Sequence, residues 1–265
     1  MEFYAISQGD YKKNMKLFNL IPFLILLVCC SGSDSNTSIP QDDSNPIQEE
    51  VFFVPQTIDG AQVQREVLIH LPESFDDTQT YPVVIAFHGN GGQNNSWFFK
   101  LSQFVEAGEF IGIYPQGHLN SWNLGAEASS ADEVYFFNQI MLKLDTYSFF
   151  DASKVYGIGN SNGSALINKL AIETSHFSAI AALASQLIVG TTPNPSTSPV
   201  SVYQMCGTAD NIIPYNGGIS FVGHNFLSAS DSALSWATTF NCITDPIAEM
   251  LGEDEIMIYT DCDSG

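Results

Sequence analysis

A chain of 265 residues that is 45% hydrophobic and 12% aromatic can fill one sizeable core, which excludes wholesale disorder and fits a single α/β domain. The 29 Asp and Glu against 8 Lys and Arg give a formal net charge of −21. Such a surface repels phosphate backbones, so it argues against nucleic acid as a partner and leaves neutral esters open, whether polymeric or polysaccharide-linked.

Leu17 to Cys30 is a mostly apolar run behind Lys12, Lys13 and Lys16, the pattern of a signal peptide and too short to span a bilayer comfortably. Met15 reads as the natural start, with the residues before it an upstream extension outside the fold. Leu27-Val28-Cys29-Cys30-Ser31 resembles a bacterial lipobox with Cys30 as the acylated residue; the alternative is a plain secretory signal. Residues 31–50 are Ser, Asp, Asn, Gln and Pro with little to bury, and read as a flexible tether. The organisation expected is therefore a signal segment over 1–30, a tether over 31–50 and a folded domain over 51–265. The protein is expected outside the cytoplasm, monomeric, and in contact with a bacterial outer membrane or cell surface only through its lipid. Of the remaining cysteines, Cys206 reads as a buried core thiol, and Cys242 and Cys262 as a disulfide.

Val51 to Ile58 and Gln62 to Leu71 read as strands joined at the turn pair Asp59-Gly60. Pro82 to Phe87 is an unbroken apolar strand, followed by a helix over Trp97 to Ala107 and a strand over Phe110 to Tyr114. Asp132 to Tyr147 is a long amphipathic helix. A buried strand over Val155 to Ile158 leads to a helix over Ala165 to Glu173. Strands over Ala179 to Ala184 and Val200 to Cys206, a helix over Ser228 to Phe240 and a short strand over Glu255 to Thr260 complete the order. Alternating strands and helices with apolar central strands imply a mostly parallel sheet covered on both faces.

The chemistry gathers on the turns after these strands. Gly159-Asn-Ser-Asn-Gly163 fits G-x-S-x-G between a strand and a helix, the context of a nucleophile elbow with Ser161 at its apex; the alternative is a glycine-rich turn with an incidental serine. The Asn162 N–H, at the helix start, is placed to receive an oxyanion. His88-Gly-Asn-Gly-Gly92 follows a central strand, and its Asn90 N–H, or that of Gly89, is the second oxyanion donor expected. His88 itself reads as a loop-holding residue. Asp210 ends a later strand and fits the acid of a serine, acid, histidine order; the alternative is a turn-capping aspartate. After Asp210 only His224 remains, and it reads as a surface-loop histidine. Trp122 reads either as a pocket-lining residue or as a buried structural indole. No histidine or cysteine spacing suggests a metal, no phosphate loop is present, and no cofactor is expected.

Together Arg65 to Glu73, Pro82 to Gly92, Ile113-Tyr-Pro-Gln-Gly117, Ser121-Trp-Asn123, Val155 to Gly163 and Gly207 to Gly218 resemble the extracellular polyhydroxybutyrate depolymerase and feruloyl esterase family, the carbohydrate esterase family-one type of α/β-hydrolase. The resemblance runs from about Val63 to Cys262 and implies a secreted esterase with Ser161 as nucleophile and Asp210 as acid. It also implies a base in a Gly-His-Thr-Trp-Pro-like motif after a final strand. No such motif is present, so a chain lacking its last strand and its base is expected. Asn160, Ser164 and Cys206 depart from the family's usual residues. A surface-tethered binding protein on a degenerate hydrolase scaffold is the competing reading.

Overall fold

The computed structural model describes residues 2–6 and 48–263. The expected signal segment with Met15 and Cys30, and the tether as far as residue 47, lie outside the described residues. In chain order the elements are β1 (Glu2–Ile6), β2 (Gln48–Ile58), β3 (Ala61–Leu71), β4 (Tyr81–Phe87), α1 (Asn95–Glu106), β5 (Ile111–Pro115), α2 (Glu133–Leu144), β6 (Phe150–Asn160), α3 (Asn162–Glu173), β7 (Ala179–Leu183), β8 (Ser201–Cys206), β9 (Gly218–Ile219), β10 (Asn225–Phe226), α4 (Ala229–Thr239), β11 (Ile247–Leu251) and β12 (Asp254–Tyr259). Ten of the strands form one sheet in the order β11-β12-β1-β8-β7-β6-β4-β5-β3-β2, while β9 and β10 pair separately.

The centre of that sheet is parallel: β5, β4, β6, β7 and β8 run the same way. Crossover helices join most of these strands, as parallel pairing requires. At one side β3 turns antiparallel against β5 and makes a hairpin with β2. The hairpin turns at Asp59 (φ 49°) and Gly60 (φ 80°), the left-handed pair that matches the twist of two strands. This strand order and the crossover helices are those of an α/β-hydrolase fold, as the motifs imply.

The two faces of the sheet are covered unequally. Phe136, Phe137 and Ile140 of α2, Leu166, Ile167 and Leu170 of α3, and Ala233 and Trp236 of α4 pack on one face in a single large cluster. On the other face, among the described residues, α1 alone sets Trp97, Phe98 and Leu101 against Leu68, Ala86 and Tyr114. A disulfide joins Cys242 and Cys262, and Cys206 is buried in β8, both as expected.

Three features differ from the sequence reading. Glu2–Ile6, expected outside the fold, lies in the sheet, antiparallel to β8 and parallel to β12. The physical reason is that β8 and β12 do not pair with each other: a slot one strand wide separates them, and an extended segment satisfies both rows of open N–H and C=O groups. The tether ends earlier than residue 50, because Glu49 and Glu50 already pair with His70 and Ile69. Finally β9, β10 and β11 appear where no strand was expected; two have only two residues, and all of β11 is exposed, so none carries an alternating pattern.

Candidate active site

Ser161 sits between β6 and α3 with φ 53° and ψ −120°, a backbone strained for any residue with a side chain. The surrounding chain over-determines this conformation. The Ser161 N–H donates to Leu183 O at 2.8 Å, fixing the turn to the end of β7. Ser164 Oγ donates to Gly159 O at 2.7 Å and lies 2.5 Å from Leu183 O, so the serine found where a glycine is usual closes the base of the turn. The two glycines are required by close approach. A Cβ on Gly159 would lie 2.3 Å from Gly163 O, and one on Gly163 would lie 2.3 Å from Phe87 O and 2.5 Å from His88 O. The turn thus presses α3 against the end of β4, and the helix begins at Asn162 rather than at Ala165. As the first residue of α3, Asn162 carries one of the N–H groups that a helix leaves without an intrahelical partner.

The loop after β4 lies against this turn. A Cβ added at Gly89 would be 3.6 Å from Ser161 Cβ, so the Gly89 backbone borders the serine itself, while Asn90 is exposed. His88 is buried and neutral: Nε2 accepts from the Gly117 N–H at 3.0 Å, which leaves Nδ1–H to donate to Gly89 O at 2.8 Å. Burial holds its pKa below the ordinary histidine value, with the Gly89 hydrogen bond opposing and the Arg65 charge adding to the shift. His88 therefore shapes the loop and offers no base.

Trp122 is a correction to the pocket-lining alternative. Its indole is fully buried, edge-on to Phe87, and donates from Nε1 to His88 O at 2.7 Å. It is a wall behind the loop. The Trp122 backbone in turn pairs with the Asn162 side chain: Oδ1 accepts from Trp122 N–H at 2.8 Å and Nδ2 donates to Trp122 O at 3.1 Å. Underneath, Arg65 and Glu133 form a buried ion pair at 2.7 Å, with the Arg65 guanidinium over the Phe136 ring and Glu133 Oε1 accepting from the Asn123 N–H at 3.0 Å. Burial raises the Glu133 pKa despite the pull of Arg65.

Asp210 lies two strands from Ser161, following β8 as Ser161 follows β6, with β7 between. At ~4.8 Å per strand this is about 10 Å, a separation that an imidazole hydrogen-bonded at both nitrogens largely spans. Asp210 Oδ1 accepts from Ile212 N–H at 2.7 Å and Ile213 N–H at 2.9 Å, so the carboxylate is fixed by its own turn. Beside it is an open depression of about 450 Å³ lined by Ala184, Met205, Gly207, Thr208, Ala209 and Asp210.

The five histidines of the chain are all engaged away from this depression. His70 is buried under α1 and stacks on Phe98. His88 holds its loop, His118 Nδ1 meets Ser129 Oγ at 3.0 Å, and His176 Nε2 meets Asn138 Oδ1 at 3.1 Å. His224 is a second correction, since it is buried and not a surface-loop residue. Its Nε2 lies 2.8 Å from Glu127 Oε1, and the same carboxylate oxygen accepts from Asn162 Nδ2 at 3.1 Å. Burial pushes the Glu127 carboxyl up, but the hydrogen bonds from His224 and from the Leu124 N–H outweigh it and leave the group below its ordinary range. Nothing local marks Glu127 in the sequence: its side-chain partners, Asn162 and His224, are 35 and 97 residues away. Among the described residues no group of three or more His, Cys, Asp or Glu could hold a metal ion, and no helix is long and apolar enough to cross a membrane.

No protein-family model matches the chain. The chain is similar to feruloyl esterase B of Piromyces equi, 26% identical over 217 residues that make up 76% of this chain and 40% of that protein. It is also similar to a probable feruloyl esterase C of Aspergillus niger, 25% identical over 61% of this chain and 62% of the relative. The chain thus spans less than two thirds of the length of either relative. A solved ferulic acid esterase aligns with 51% of this chain and 60% of its own at 20% identity, with a TM-score of 0.40. The resemblance drawn from the motifs holds on its feruloyl esterase side.

Proposed function

We propose that the chain is the core of a serine carboxylic-ester hydrolase of feruloyl-esterase type. The observation that supports this most is Ser161 in a strained turn that only glycine at both 159 and 163 permits, bordered by the Gly89 backbone. In this reading Ser161 Oγ attacks the ester carbonyl, and the oxygen that becomes negative is held by the Asn162 N–H and by an N–H of the Gly89-Asn90 turn. Collapse of the tetrahedral species expels the alcohol, which takes up the proton that left Ser161, and water then releases the acid from the acyl-enzyme. Asp210 orients and stabilises the imidazolium formed in between.

The imidazole that this role requires would seat in the depression beside Asp210, where none of the chain's five histidines lies. Feruloyl esters are favoured over polyesters by the relatives' names, and export with acylation at Cys30 by the lipobox pattern. The absence of a positioned base favours a second reading, a tethered binding protein that retains the elbow without turnover. Fluorophosphonate labelling separates the two. The hydrolase reading expects slow modification located at Ser161 by mass spectrometry and none in Ser161→Ala. Equal labelling of both proteins, or ferulate-ester binding with an inert Ser161, favours the binding protein.

A further inference from the structure

The polar cluster around Glu127 has no part in the mechanism as written, yet it converges on the elbow. All four acceptor positions of this carboxylate are used. Oε1 takes His224 Nε2 at 2.8 Å and Asn162 Nδ2 at 3.1 Å, and Oε2 takes the N–H groups of Leu124 at 2.7 Å and Ala126 at 3.2 Å. The side chains of His224 and Glu127 are 8% and 12% exposed, so these bonds form in a medium where each is strong and a missing one is costly. One carboxylate thereby joins three segments that are far apart in sequence: the loop after β5, the first residue of α3, and the β9–β10 hairpin. The hairpin is also seated directly, since Gly223, at φ 93°, packs against the Ala126 side chain.

From this convergence we infer that Glu127 is a positioning residue for the oxyanion donor Asn162, with His224 holding Glu127 from the other side. The inference rests on the ester-hydrolase reading. Asn162 has one backbone N–H to offer an oxyanion and one amide side chain to fix its direction. That side chain is held by the Trp122 backbone and Glu127 together. Removing Glu127 leaves Nδ2 with Trp122 O alone and leaves the buried His224 without its partner. The Asn162 peptide then samples orientations that hydrogen-bond a tetrahedral oxyanion less well, while a planar ground-state ligand, which does not use the N–H fully, is little affected. Because His224 acts through Glu127, its own removal has the smaller effect, and glutamine, which keeps an N–H donor near Nε2, restores part of it.

The test compares two ligands on the full chain. Phenylboronic acid forms a tetrahedral adduct on Ser161 Oγ and presents an oxygen to the oxyanion donors; ferulate occupies the site without bonding to serine. Loss of a whole oxyanion donor costs on the order of 10²–10³ in rate, so a misdirected donor should cost roughly tenfold to a hundredfold in boronate affinity. The expectation for Glu127→Gln is that loss, with ferulate affinity within about twofold of the parent and a smaller downfield shift of the Asn162 amide proton on adduct formation. His224→Leu should lose roughly fivefold and His224→Gln about twofold. Unchanged boronate affinity and an unchanged Asn162 shift in Glu127→Gln would overturn the role, as would equal losses for boronate and ferulate, which a merely structural part would produce. If the parent chain forms no adduct on Ser161, it is the hydrolase reading that fails first, and the positioning role falls with it.

Discussion

The two halves of the candidate site are built to different standards. On the β4–β6 side, the Ser161 turn and its loops are fixed by a closed set of contacts: Trp122 to His88 O, His88 to Gly117 and Gly89, Asn162 to Trp122 and Glu127, and Glu133 to Asn123. On the β8 side, Asp210 is held by two N–H groups of its own turn and faces an open depression. The difference teaches where preorganisation resides. Oxyanion stabilisation, the role proposed for that half, needs donors that do not move during reaction, and buried polar bonds brace it. In the role proposed for it, Asp210 needs only to hold an imidazole, and its side of the site is an open depression.

This contrast can be broken most severely at its buried ion pair. Glu133→Ala leaves Arg65 charged, buried and over an aromatic ring, and should cost about 3–5 kcal/mol in urea unfolding. A loss below about 1 kcal/mol would mean that the β4–β6 half is not braced there. Gly163→Ala should follow at about 3 kcal/mol, because its Cβ meets two backbone carbonyls that cannot rotate away. Asp210→Ala, on the open side, should cost only about 1 kcal/mol through its two turn hydrogen bonds; a loss equal to that of Gly163→Ala would erase the distinction.

Acid should also discriminate the halves. Burial lowers the pKa of both His70 and His88, so the unfolded chain binds their protons first. Stability from these groups is present above about pH 6.5, the unfolded histidine value, and is lost as pH falls from there toward the lower folded values. Hydrogen exchange should show the His88 loop opening in that window while the turn at Asp210 keeps its protection. The smallest effect is expected at His70. Among the described residues its ring nitrogens have no hydrogen-bond partner, so His70→Leu should be neutral or stabilising by up to about 1 kcal/mol and should flatten part of that acid slope.

The same contrast governs what could be read from the sequence. The elbow was legible because its requirements are local: two glycines at fixed offsets, an apolar strand before and a helix after. The parallel strands were legible because burial on both faces makes them continuous apolar runs. Asp210 could be nominated from chain order. The bracing was not legible, since Arg65 and Glu133 stand 68 residues apart and Glu127 and His224 97 apart, and neither pair has a periodicity to betray it. Trp122 reads as either of two roles because an indole beside a loop carries no local sign of which side of the wall it occupies. The strand at Glu2–Ile6 escaped because its place is set by a slot between β8 and β12, which no local pattern announces.

The central proposal is that Ser161 is a prepared nucleophile to which none of the chain's five histidines is positioned as base, and free imidazole tests it most directly. Methyl ferulate hydrolysis by the chain should be slow in plain buffer. Added imidazole should raise it by on the order of a hundredfold beyond the imidazole-dependent rate of Ser161→Ala, the scale of general-base catalysis. Identical imidazole-dependent rates for the two proteins would contradict the account. So would rapid hydrolysis in plain buffer that His224→Ala abolishes, because the chain would then already hold its base.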